Sequence, residues 1–216
     1  MKPEEFFYTD SDGIEIFCRK WTVDNNDPKG IVQIAHGLGE HSARYEHVAK
    51  SLTSAGYNVY ADDHRGHGKT AGNIEDLGYL GPGGWDGTVR AIHDLTNHIK
   101  MQDNNKDLPI FYLGHSWGSY MGQHYIQEWG DEISGVILSG TNGKQPLLGL
   151  LLMITKIISK LMGNKKKSKF IDNLTLAPLN KPFEPTEYPH AWLCRDEEVV
   201  KKYEEDPYCG FLMPNE

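Results

Sequence analysis

A chain of 216 residues is long enough to bury one sizeable core. Its 22 basic and 30 acidic residues leave a net charge of −8, which excludes a general nucleic-acid binder. The three cysteines, Cys18, Cys194 and Cys209, form no ligand-like pair; an odd number behind a polar N-terminus predicts free thiols in a reducing, cytoplasmic compartment.

Residues 6–8 and 14–23 flank the turn Asp10-Ser11-Asp12-Gly13 and predict an antiparallel hairpin. Residues 31–35 predict a strand running into His36-Gly37-Leu38-Gly39. A helix follows, with Ser42 as its N-cap, Tyr45, Val48, Ala49 and Leu52 on one apolar face, and Gly56 as its stop. Residues 57–61 form a strand leading into Asp62-Asp63-His64-Arg65-Gly66-His67-Gly68. Trp85, Val89, Ile92, Leu95 and Ile99 then mark a second amphipathic helix. Ile110-Phe111-Tyr112-Leu113 suits a buried parallel strand, and beyond it Trp117, Tyr120, Met121, His124 and Tyr125 recur at helical spacing. A further strand is expected at 136–138. The alternation predicts an α/β fold: a mostly parallel sheet with helices on both faces and an active site at the carboxyl ends of its strands.

The character changes at residue 144. Residues 146–162 are strongly apolar, with Thr155, Lys156, Ser159 and Lys160 on one helical face; the segment is too short and too charged to span a bilayer. Residues 145–170 carry six lysines and no acid. Such a helix either lies on an anionic membrane surface or packs its apolar face over the active site with its lysines solvated. The proline-rich residues 172–190 read as irregular connection. Residues 196–205 read as a charged helix with Val199, Val200 and Tyr203 as its inner stripe.

Gly114-His115-Ser116-Trp117-Gly118 sits between a predicted strand and a predicted helix, the setting of a nucleophile elbow. The serine of such a turn is held in a strained conformation, and side chains two residues to either side would collide across it. Ser116 is therefore the candidate nucleophile for acyl transfer, most simply ester hydrolysis, which needs no cofactor or metal. The oxyanion is expected to receive the N–H groups of Trp117 and of Leu38, the latter beside the small Gly37. His115 adjoins Ser116 but points elsewhere, which makes it a poor base, and His36 reads as structural. His41, His64 and His67 with Asp62 and Asp63 match no standard zinc spacing. Asp63 and Arg65 are expected to form a local ion pair. Glu40 and Arg44 either hydrogen-bond a polar alcohol or headgroup, or pair with each other at the helix start.

Taken together, residues 36–45 (HGLGEHSARY), 63–68 (DHRGHG) and 114–118 (GHSWG) resemble the monoacylglycerol lipase and lysophospholipase branch of the α/β-hydrolase fold. The stretch from Trp192 through 195–200 to Asp206-Pro207 resembles the end of that family's cap. The resemblance implies a serine hydrolase acting on lipid-like monoesters, with Ser116 as nucleophile, Leu38 and Trp117 as oxyanion donors, and Gly37, Glu40, Arg44 and His115 beside the substrate. It divides the chain into a core at 1–143, a cap or lid at 144–208 and the start of a return to the core at 209–216. The basic amphipathic segment at 146–169, read from its residues, is where peripheral membrane contact is expected.

The family's catalytic acid and histidine follow its seventh and eighth strands, beyond the cap. Here His190 is the last histidine, and Thr141 and Asn142 offer no carboxylate. The expectation is a chain without those last two strands, inactive by itself, with an apolar edge at 136–138 that self-associates or takes a complementing C-terminal segment. The alternatives are a non-catalytic α/β-hydrolase-like binding protein and an acyltransferase.

Overall fold

Six strands form one sheet in the computed structural model, which describes residues 2–24, 27–102, 107–144, 148–163 and 165–215. β1 (Glu4–Thr9) and β2 (Glu15–Trp21) make the expected antiparallel hairpin. Its turn is held by Asp10 Oδ1, which accepts the N–H groups of Asp12 (3.0 Å) and Ile14 (2.8 Å). β2 joins antiparallel to β4 (Tyr57–Asp62); β3 (Gly30–Ala35), β5 (Ile110–His115) and β6 (Gly135–Ser139) continue in parallel, in the order β1-β2-β4-β3-β5-β6. Ile34 pairs with Ala61 on one side and with Leu113 on the other. That register brings the carboxyl ends of β3, β4 and β5 side by side.

Every residue of β3 is buried, as a strand covered on both faces requires. Val32 and Ile34 face α1 (Glu46–Ser54) in a cluster with Trp21, Ala49 and Val59. Ile31 and Ala35 face α2 (Gly84–Lys100) and α3 (Trp117–Trp129). Gln33 points the same way and both its amide atoms are hydrogen-bonded: its Nε2 donates to Ile92 O (2.8 Å) and its Oε1 accepts from Thr96 Oγ1 (2.7 Å). Ile92, Leu95 and Ile99 are completely buried, each stabilising the fold by ~1.5–3 kcal/mol.

Several local expectations are corrected. Ser42 does not cap a helix. A 3-10 turn, Ser42–Tyr45, precedes α1, and Ser42 hydrogen-bonds Asp63 instead, with N–H to Oδ1 at 2.9 Å. The region expected to be irregular contains α5 (Lys169–Thr175) and a 3-10 stretch, Ala177–Phe183. In α6 (Glu197–Glu205), Val200 and Tyr203 are buried but Val199 is 37 % exposed. The helix begins with Asp196 accepting the N–H of Glu198 (3.0 Å).

The helix expected at 146–162 is α4 (Leu148–Met162), with 146–147 outside the described residues. Leu152, Met153, Lys156, Ile157, Lys160 and Leu161 face outward, whereas Ile154, Thr155, Ile158 and Ser159 are half-buried. The four polar positions are split between the two sides, and much of the apolar surface is turned to solvent rather than folded over the core. No helix among the described residues is long and apolar enough to cross a membrane. At the end of the sheet, β6 exposes Val136 and Ile137.

Candidate active site

β5 delivers Ser116 to the sharp turn before α3. Ser116 has φ 50 and ψ −115, and among the described residues it is the one non-glycine with positive φ. Such backbone costs of order 1–3 kcal/mol and persists only where its surroundings impose it. Here Ser116 N–H donates to Ser139 O (2.8 Å), and Tyr112 OH donates to Gly118 O (2.7 Å). The flanking glycines are required sterically: a Cβ on Gly118 would lie 2.2 Å from Ala35 O, and one on Gly114 2.5 Å from Gly118 O.

The loop after β3 runs beside this serine. A Cβ on Gly37 would lie 3.4 Å from Ser116 Cβ and 2.7 Å from Glu40 Oε1. Glu40 is buried and holds the loop with both oxygens. Its Oε1 accepts Gly37 N–H (2.7 Å) and Tyr45 OH (2.7 Å), and its Oε2 accepts Arg44 Nε (2.8 Å). Burial and the neighbouring Glu40 push the Tyr45 hydroxyl well above its ordinary pKa, so it remains a donor. His36 braces the loop from beneath, with Nδ1 at 2.7 Å from Gly37 O and Nε2 accepting His64 N–H (3.0 Å). Burial, and after it His64, keeps His36 well below the usual imidazole range and therefore neutral.

A cavity of about 140 Å³ brings Gly37, Leu38, Glu40, Arg44, His115 and Ser116 together. Trp117 differs: its indole stacks on His67 (centroids 5.0 Å apart) and meets Trp85 edge-on (5.9 Å), which leaves its backbone as the part nearest the turn. The opposite wall comes from 172–213 and includes Asp172, His190, Trp192, Tyr203 and Phe211. None of these was singled out by sequence as a site residue. His190 is held there by Glu204, whose Oε1 lies 2.9 Å from its Nδ1 and 3.0 Å from its backbone N. The late, solitary histidine was the available signal, but without periodicity at 172–190 nothing linked it to Glu204. Among the described residues no histidine is hydrogen-bonded to Ser116 Oγ.

Glu40 and Arg44 do form the helix-start ion pair, and both still line the cavity; the Arg44 guanidinium lies 4.8 Å over the Tyr203 ring. The expected Asp63–Arg65 pair is replaced by longer-range ones. Arg65 reaches Asp10 (Nε to Oδ2, 2.8 Å) and Asp12 (Nη2 to Oδ2, 2.8 Å), while Asp63 takes Arg19 (3.1 Å). His64 bonds Asp62 (2.7 Å), His67 bonds Arg65 O (2.9 Å) and His41 bonds Asp206 (2.9 Å), so the three histidines serve separate partners. The Cys209 thiol lies near His41 and Asp206, and burial pushes its pKa up to about 12.

The family model described as serine aminopeptidase, S33, matches residues 26–216. The chain belongs to that hydrolase family. The monoacylglycerol lipase of Mycolicibacterium smegmatis is 32 % identical over 198 residues, covering 90 % of this chain and 61 % of the relative. The human monoglyceride lipase is 29 % identical over 201 residues, covering 91 % and 57 %. A thermostable carboxyl esterase from Bacillus coagulans, solved with glycerol, superposes with a TM-score of 0.87 at 32 % identity, covering 99 % of this chain and 68 % of that one. The fold is that of the α/β-hydrolases. The chain spans about three fifths of the length of the two lipases it matches.

Proposed function

We propose that the chain carries the nucleophile and acyl pocket of a carboxylic-ester hydrolase for lipid monoesters such as monoacylglycerols or lysophospholipids. The observation that supports this most is Ser116 held at positive φ beside Gly37, in one cavity with Leu38, Glu40 and Arg44. In this reading Ser116 Oγ attacks the ester carbonyl and must pass its proton to a base, a role that no histidine hydrogen-bonded to Ser116 Oγ fills among the described residues. The N–H groups of Leu38 and Trp117 take the oxyanion, the alcohol departs with a proton, and water then cleaves the acyl-enzyme. Glu40 and Arg44 meet the alcohol end, with Gly37 and His115 beside the reacting carbonyl. The glycerol of the Bacillus coagulans structure is the kind of group that would sit there. Residues 1–143 act as the core and 144–208 as the lid. The free thiols of Cys18, Cys194 and Cys209 fit a cytoplasmic setting.

The test is modification by a fluorophosphonate, read by mass spectrometry. With no histidine hydrogen-bonded to Ser116 Oγ among the described residues, the expected adduct forms slowly, is confined to Ser116, is absent from Ser116→Ala, and is slowed further by monoacylglycerol more than by an aminoacyl amide. Labelling spread over other serines, or unaffected by any ester, refutes the assignment. The lack of a histidine on Ser116 Oγ among the described residues favours, as second reading, a non-catalytic protein that binds the same lipid. That protein would bind monoacylglycerol yet would not form the adduct.

A further inference from the structure

We propose that His41, Asp206 and Cys209 form a binding site for a zinc ion, which ties the loop after β3 to the distal segment at 206–210. Among the described residues they are the one group of three His, Cys, Asp or Glu side chains whose ligand atoms all lie within 4.8 Å of one another. Nε2 of His41 stands 2.9 Å from Oδ2 of Asp206. A tight turn brings the other two donors together: Cys209 N–H donates to Asp206 O (3.0 Å), and Tyr208 N–H donates to Asp206 Oδ1 (2.9 Å). That leaves Oδ2 as the coordinating oxygen and fixes the carboxylate plane, as outer-shell partners do around a metal. Tetrahedral bonds of about 2.0–2.3 Å separate ligand atoms by roughly 3.3–3.6 Å, so shifts of about 1 Å close the three donors around an ion.

The donor set selects the ion. One imidazole nitrogen, one sulfur and one carboxylate oxygen suit zinc, whereas magnesium and calcium call for oxygen ligands. His41 and Cys209 are buried, and the Asp206 side chain is 30 % exposed, which leaves an open side for water as fourth ligand. Burial keeps the Cys209 thiol protonated at neutral pH, so coordination expels that proton to solvent, while the imidazole carries its own on Nδ1. Carboxylate and thiolate then set two negative charges against the two positive ones of the ion. Arg44 hydrogen-bonds the Cys209 side chain, but its charge is already met by Glu40 at 2.8 Å. Glu40 and Gly210, next in sequence to His41 and Cys209, line the Ser116 cavity, whereas the three ligands do not. The ion therefore sits behind the cavity wall, where it holds two segments together and touches no substrate.

The site is independent of the lipid-ester reading and is tested by binding, without turnover. The full chain, stripped of metal by a chelator, is titrated with cobalt(II), whose bond to a thiolate gives a charge-transfer absorption band; zinc should then displace the cobalt. The expected stoichiometry is one ion per chain. Cys209→Ser should abolish the band and Cys194→Ser should keep it. His41→Gln and Asp206→Asn should each weaken zinc binding at least about tenfold. Asp206→Asn retains an acceptor for Tyr208 N–H, so it removes the ligand charge without unmaking the turn, and unfolding curves in chelator check the fold of every variant. Zinc at about a hundred times its Kd should raise the Tm by roughly 5–10 °C. It should also slow amide hydrogen exchange at residues 39–41 and 206–210. No charge-transfer band, a band that survives Cys209→Ser, undiminished zinc binding in His41→Gln or Asp206→Asn, or bound zinc without slower exchange would each overturn the proposal.

Discussion

Glu40→Gln isolates the carboxylate that holds the loop beside Ser116. The amide oxygen can still accept Gly37 N–H and Tyr45 OH, but the amide nitrogen then faces Arg44 Nε, donor against donor. A hydrogen bond to a charged group contributes ~1.5–3 kcal/mol. The side chains of Arg44 and Glu40 are 24 % and 11 % exposed, so water recovers part of that and the expected loss is about 2 kcal/mol. For a chain of this size it should lower the Tm by roughly 4–8 °C. Calorimetry and urea unfolding of Glu40→Gln, Arg44→Met and the double variant measure the coupling, expected at ~1–2 kcal/mol. Fluorophosphonate labelling of Ser116, measured well below the Tm, should slow as well, because the loop loses its alignment while the fold remains. A Glu40→Gln protein within about 0.5 kcal/mol of wild type, with no coupling to Arg44, would refute this account of the loop.

Burial lowers the pKa of His67 from 6.5 to about 3, so the unfolded chain binds a proton there that the folded chain refuses. Stability should fall as pH drops from about 6.5 towards 3, by up to ~1.4 kcal/mol per pH unit from this group, and His67→Phe should flatten the profile in acid denaturation. Arg65→Met leaves the buried Asp10 without its cation and should cost about 3–5 kcal/mol in urea unfolding; a smaller loss than 1 kcal/mol would mean the pair is not structural. Ile137→Lys places a charge on the exposed end strand and should reduce concentration-dependent association in sedimentation velocity.

The central strands and helices were legible because their cues are local. The apolar run Ile110-Phe111-Tyr112-Leu113 gave β5, a helical stripe gave α2, and glycines two residues either side of Ser116 gave the turn. Failures began where distant residues decide. Arg65 has Asp63 two positions away yet pairs with Asp10 and Asp12 across the hairpin, because the burial of its guanidinium needs carboxylates that the fold brings to it. Ser42 had the chemistry of a cap but is drawn to Asp63. At the site, the sequence supplied the wall built from strand ends, with Gly37, Glu40, Arg44 and Ser116. The wall carrying His190, Trp192 and Phe211 comes from a segment whose prolines hide any period. On α4 the amphipathic pattern was visible, but which side faces outward depends on what the helix packs against.

Gly39 O accepts two hydrogen bonds from the distal segment, Tyr203 OH (2.9 Å) and Gly210 N–H (3.0 Å), and His41 adds its contact with Asp206 (2.9 Å). Both ends of the loop that carries Leu38 are thus anchored: one by Glu40 and His36 from the core, the other by residues 203–210. A swing of α6 away from the sheet would have to break these bonds or drag the loop with it. Opening of the cavity and misalignment of the proposed oxyanion donors would then be one mechanical event, so the proposed chemistry would stop whenever the cavity is open to bulk water.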